Sequence, residues 1–201
     1  KQYPEAERLF KRALELLPTA DYVKTELGNV YVSQRRFPEA IAVFAEVLRT
    51  SPASSNAYLG LGNAYYNDSR WADSIPHYRK AAELSPSWAT AHLYLGDAYL
   101  KVKNYTSAVP SYEESIRLDP KRPDAYYGLG LTFVSMEDKT RATQTAARLK
   151  PIDSAKAATL EAEIAKMKAP VKPAETVKPP ISKPKSPQRI KDEQEVAKMA
   201  D

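Results

Sequence analysis

The apolar positions of this chain fall into short clusters with helical spacing. Tyr58, Leu61, Gly62 and Tyr65 stand at i, i+3, i+4 and i+7, one face of an α-helix. The cluster then recurs in a fixed step of 34 residues: Leu27, Gly28 and Tyr31; Leu61, Gly62 and Tyr65; Leu95, Gly96 and Tyr99; Leu129, Gly130 and Phe133. A second series keeps the same register. Ala6, Ala40, Ser74, Ala108 and Ala142 precede Phe10, Phe44, Tyr78 and Tyr112, and Pro18, Pro52, Pro86 and Pro120 close the units. The recurrence decides how Gly60-Leu61-Gly62 is read. A dinucleotide loop needs a third glycine, where this chain has Tyr65, and a strand before it, which the preceding residues do not form. A phrase that returns along the chain is a structural repeat.

Each unit predicts two helices. The first carries the leucine-glycine-aromatic stripe, and its glycine is expected to admit a neighbouring backbone at a helix-propensity cost of about 1 kcal/mol. The second begins near Pro4 or Pro38, where proline suits the first helical position, and stops before the closing proline. Pro76 and Pro110 come slightly later and should each remove one hydrogen bond near the first turn. No single unit can bury its apolar face alone, so neighbours must stack into an all-α solenoid with a continuous core. The expected divisions are a lone second helix over 1–20, units over 21–54, 55–88, 89–122 and 123–150, and a capping helix over 151–169. The segment over 1–20 is expected to be half of a repeat cut from a longer array. In the last unit Ala146 replaces the aromatic residue. The stripe Ala157, Leu160, Ile164 and Met167, after an N-cap at Asp153, is then expected to shield the end of the array.

Leucine-glycine, tyrosine, alanine, phenylalanine and proline in this order over a 34-residue helix-turn-helix resemble the tetratricopeptide repeat, TPR. The resemblance implies a right-handed superhelix whose first helices line a concave groove for a partner peptide. Carried over onto this sequence, it implies peptide-binding residues Tyr22, Asn29, Leu59, Asn63, Tyr66, Asn67, Leu93, Asp97, Lys101 and Tyr127. Asparagine can donate and accept towards a peptide backbone, and tyrosine offers flat contact area. By helical spacing these positions lie off the packing stripe, whereas Tyr65 lies on it and should be core. Repeats of this kind that grip the acidic C-terminal ends of cytosolic chaperones use lysines, asparagines and an arginine. The corresponding positions here are Thr25, Asn29, Gly60, Thr90 and Tyr94, of which the asparagine alone fits. A terminal carboxylate pair would lack charge-assisted partners, so that ligand is rejected.

Composition narrows the function further. Net charge is +5 with 27% charged residues. A local basic excess lies between Lys166 and Lys191, within and just before the Pro/Lys-rich stretch over 170–201, where the acids of the last ten residues offset most of it. That stretch cannot bury enough apolar surface to offset chain entropy and is expected to be a disordered tail. Its PxxP spacings, Pro170 to Pro173 and Pro184 to Pro187, permit docking to an aromatic groove, but a solvated linker is the simpler reading. Lysine alternating with proline, without stacking aromatics, makes a poor nucleic-acid reader. No apolar stretch is long enough to span a membrane. There is no cysteine, and the two histidines, His77 and His92, form no metal-ligand or catalytic motif. His92 occupies the position held by Tyr58 and Tyr126, so it reads as a packing substitute. The expectation is therefore a non-enzymatic scaffold with a protein or peptide partner, no cofactor and no metal. One alternative is an interaction module of a larger enzyme or secretion assembly. A second is binding of nucleic acid or anionic membrane through the tail. The sequence leaves partner, oligomeric state and compartment open, with a lean to the cytoplasm.

Overall fold

The computed structural model describes residues 3–167; the tail expected over 170–201 lies outside them. The described residues form ten helices and no strand. A lone helix α1 (Tyr3–Leu16) is followed by four pairs: α2 (Asp21–Ser33) with α3 (Phe37–Thr50), α4 (Ser55–Asn67) with α5 (Trp71–Leu84), α6 (Ala89–Lys101) with α7 (Tyr105–Leu118), and α8 (Pro123–Ser135) with α9 (Lys139–Leu149). Helix α10 (Ser154–Lys166) closes the array. Each helix packs on the next along the chain, and α10 packs on both α8 and α9. The architecture is an all-α solenoid.

The glycines are where the units lock, but what enters is a ring and not a backbone. A Cβ added at Gly28 would lie 2.7 Å from the Phe44 ring, at Gly62 2.6 Å from Tyr78, and at Gly96 2.9 Å from Tyr112. Two glycines outside the repeating stripe face the same rings from the following unit: Gly60 against Phe44, and Gly128 at 2.5 Å from Tyr112. Phe44 and Tyr112 are thus each held between two glycine faces, and both are fully buried. In the last unit Ala146 leaves this place vacant. Leu160 of α10 fills it, its side chain meeting Gly130 and fully buried. The expected N-cap of α10 also forms, with the Asp153 carboxylate accepting from the Lys156 N–H at 2.9 Å.

The turns inside the pairs repeat with equal fidelity. Arg35, Ser69, Lys103 and Glu137 all adopt left-handed conformations, with φ of 61°, 62°, 61° and 59°. After each of them the next N–H reaches back to the first helix, Arg36 to Tyr31 at 2.8 Å and Arg70 to Tyr65, Asn104 to Tyr99 and Asp138 to Phe133 at 2.9 Å. This is the six-to-one closure of a Schellman turn, built here without glycine. The residue entering the second helix then locks the joint. Arg36 and Arg70 lie 4.4 and 4.5 Å over the Tyr31 and Tyr65 rings and pair with Glu39 and Asp73. The last unit inverts the charges: Asp138 takes the entering position, and Arg141 lies 4.5 Å over Phe133.

Tyr65 departs from expectation. It is half-buried, held between Arg70 and the His77 ring, which stacks on it at 5.2 Å. Burial pushes the His77 imidazole below its ordinary pKa, which favours a neutral ring in the stack. His92 matches its reading. Its Nε2 donates to the Pro86 carbonyl at 3.0 Å, as the Tyr126 hydroxyl does to Pro120 at 3.2 Å.

Candidate functional site

The first helices α2, α4, α6 and α8 succeed one another along one side of the solenoid, and the joints between them are not alike. Helix α2 packs against α4 and α6 against α8, whereas α4 and α6 barely meet. The residue at each joint explains the difference. Gly60 and Gly128 allow close approach at the tight joints; Tyr94 occupies the equivalent place on α6. Its ring rests 5.7 Å from Tyr78 and wedges the two helices apart. A pocket of about 250 Å³ opens there, lined by Asn63, Tyr66 and Asn67 of α4, Tyr94 and Asp97 of α6, Tyr78 of α5 and Val32 of α2.

Two hydroxyl contacts organise its floor. The Tyr78 hydroxyl donates to Asn63 Oδ1 at 2.9 Å, and the Tyr112 hydroxyl donates to Asp97 Oδ1 at 2.7 Å. Burial raises both phenols well above the ordinary tyrosine pKa, so each remains a donor. Asn63 spends its oxygen on Tyr78, and its amide N–H groups donate to no protein acceptor among the described residues. Asn67 Nδ2 donates to the Asn63 carbonyl at 2.8 Å. The Asp97 carboxyl is pushed up to about 6, by burial first and then by the Asp124 charge, against the opposing pull of the Tyr112 hydrogen bond and Lys101. Tyr66 is raised to about 12 by burial and by the Asp97 charge.

Of the ten residues that the resemblance implied, the structure brings Asn63, Tyr66, Asn67 and Asp97 together in this pocket. Leu59 and Leu93 require correction: at 9% and 4% exposure they are core and offer a ligand no surface. Their position on the first helix turns towards the neighbouring unit, and Thr25, equivalent to them, is buried as well. Only in the last unit does this position, at Tyr127, stay half-buried. Tyr22 is exposed and lies apart, in a wide recess of about 490 Å³ with Asp21, Glu26 and Asn56. Asn29 is half-buried on α2. Lys101 is exposed, with its ammonium 5.8 Å from the centre of the Trp71 ring. Two pocket residues, Tyr78 and Tyr94, escaped the sequence reading. Signals for both exist: Tyr94 replaces a glycine of the neighbouring units, and a core tyrosine such as Tyr78 needs an acceptor for its hydroxyl.

A tetratricopeptide repeat family model matches residues 25–89, and a TPR repeat model matches residues 103–136. The two matched segments are tetratricopeptide repeats. Solved TPR structures share the fold. YrrB, described as a TPR protein with an unusual peptide-binding site, aligns with TM-score 0.67 and 23% identity over 80% of this chain and 84% of its own. The thermophilic TPR protein TTC0263 of Thermus thermophilus aligns with TM-score 0.67 and 19% identity, over 82% of this chain and 91% of its own. MamA of Desulfovibrio magneticus RS-1 aligns with TM-score 0.70 and 19% identity, over 77% and 88%. Comparison with curated proteins returns no match. As a TPR array the chain is a protein-interaction repeat module. No helix among the described residues is long and apolar enough to cross a membrane, and no cluster of three potential metal ligands occurs among them.

Proposed function

We propose that this TPR array is a non-enzymatic scaffold that holds an extended segment of a protein partner in its concave groove, with the open joint between α4 and α6 as the central contact. One observation carries the reading: three tyrosine rings, an asparagine amide without a protein acceptor and a carboxylate converge on one pocket at the middle of the first-helix face. Aromatic area that is already ordered costs little entropy on binding, and an amide donor suits the carbonyls of an extended chain. Asn29, Lys101, Tyr22 and Tyr127 extend the same face towards both ends, in place of the buried Leu59 and Leu93.

The test is to capture partners by pull-down, identify them by mass spectrometry, and measure their affinity for two variants. Tyr66→Ala should weaken binding roughly 30-fold, the scale of a hot-spot side chain near 2 kcal/mol. Arg148→Ala, whose guanidinium lies 5.1 Å over Tyr126 away from the pocket, should bind normally. The opposite pattern would place the partner elsewhere and end the groove reading.

A further inference from the structure

The chemistry of the open joint goes beyond a generic peptide site. Asp97 uses one carboxylate oxygen to accept from Tyr112; the other receives no hydrogen bond from the described residues. No buried side-chain oxygen or nitrogen among those residues lacks a partner, so this second oxygen is turned to the open pocket. Lys101 stands one helical turn further on, but its ammonium is directed to the Trp71 ring, 5.8 Å from its centre. A half-buried carboxylate therefore faces a cavity walled by tyrosine rings.

We propose that this pocket receives one lysine or arginine side chain of the bound segment, its cationic head against Asp97 and its methylene stem against the rings of Tyr66 and Tyr94. The inference rests on the groove reading above and names what that groove selects. A cation pairs with the half-buried charge, whereas an acidic side chain would add a like charge and an apolar one would leave the carboxylate unmatched. Tyrosine faces attract cations as well, more strongly when water is excluded. A pocket of about 250 Å³ suits one side chain, not a helix about 10 Å across. Charge along the face agrees. Asp21 and Glu26 line the recess towards the start of the array. Asp124, whose charge acts on Asp97, is already paired with Lys156 at 2.7 Å. The groups that act on Asp97 are the Tyr66, Tyr78 and Tyr112 hydroxyls, Asp124 and Lys101, and burial holds its carboxyl at about 6. The site is therefore mostly ionised at neutral pH and discharged in mild acid.

The experiment selects binders from a library of random linear peptides on the immobilised chain at pH 7.5, then measures selected peptides by fluorescence anisotropy. The expected binders share one lysine or arginine. Replacing that residue by glutamine should weaken binding to the wild type at least tenfold and change binding to Asp97→Asn little. Wild-type affinity should fall as pH drops through about 6, while Asp97→Asn stays flat. Binders without a basic position, or an equal effect of glutamine in both proteins, would overturn the cation pocket. If such binders still weakened with Tyr66→Ala, the groove reading would survive that failure. Binders indifferent to both Tyr66→Ala and Asp97→Asn, or a library that yields none, would overturn both.

Discussion

The tight joint between α2 and α4 and the open joint between α4 and α6 use the same repeat and differ mainly at one position. At the tight joint Gly60 lies flat on the Phe44 ring. At the open joint Tyr94 stands against Tyr78, and a pocket replaces the helix contact. The difference teaches that in this solenoid stability and recognition compete for the same surface. A glycine spends the space on packing; a tyrosine gives it to a ligand. The second contrast lies beneath the rings. Tyr78 ends on a neutral amide, Asn63, whereas Tyr112 ends on a carboxylate, Asp97, in a similar depth of protein.

The sharpest way to break the comparison is to move the wedge. Gly60→Tyr should drive its ring into Phe44, which is fully buried between two units, and cost about 3 kcal/mol as an overpacked core site. Tyr94→Gly removes a half-buried ring from an open pocket, creates no clash, and should cost under about 2 kcal/mol, about 0.5 kcal/mol of it helix propensity. Urea denaturation of both variants checks the order. If Gly60→Tyr proved the milder change, the two joints would not differ in packing as described.

Asp97→Asn tests the charge contrast. The folded pKa of Asp97, about 6, lies above its ordinary value, so the stability this group contributes is present at low pH. It is lost as pH rises from about 4 through 6. Asparagine keeps an acceptor for Tyr112, as Asn63 does for Tyr78, and carries no charge. The variant should therefore gain on the order of 2 kcal/mol at pH 7 and show no gain at pH 4. Thermal unfolding midpoints across that range would measure it. A wild type equally stable against the variant at both pH values would mean that Asp97 is well solvated.

Smaller effects refine the picture. Removing the hydroxyl from Tyr112 strands a charged acceptor, and removing it from Tyr78 strands a neutral one. Tyr112→Phe should thus cost about 2 kcal/mol and Tyr78→Phe about 1 kcal/mol, read from chemical denaturation at pH 7.5. Least of all, Ser69→Gly and Lys103→Gly relieve left-handed backbones at turns of the same closure. Each should gain about 0.5 kcal/mol, the relief being partly offset by a more flexible unfolded chain. Equal gains would locate the difference between the joints in their helices, since the turns behave alike.

Much of the fold could be read from spacing because its determinants are local and repeated. Leu27, Leu61, Leu95 and Leu129 keep one register, and a helical stripe that returns at a constant interval can be buried only by its own neighbours. The cap was legible for the same reason: Ala146 breaks a series, and a residue from outside the units, Leu160, restores it. Less of the site was legible. The family resemblance set Leu59 and Leu93 on the groove face and helical angle put them off the packing stripe, but that angle says which way a side chain leaves its own helix and nothing of how near the next helix stands. Tyr65 misled for a related reason, since a stripe position near the end of a helix meets a turn and an arginine before it meets the core.

The sequence by itself determined that this protein is a stack of helix pairs and that the stack repeats every 34 residues. These follow from interactions that span a few residues or one period. Only the tertiary structure decided that Tyr94 parts α4 from α6, that Asp97 keeps one oxygen for the pocket, and that Asn63 shares its amide between Tyr78 and the open face. Each of these depends on the distance between different units. A periodic pattern fixes the repeat of that distance, but its departures are set by the volume of single side chains packed across the joint.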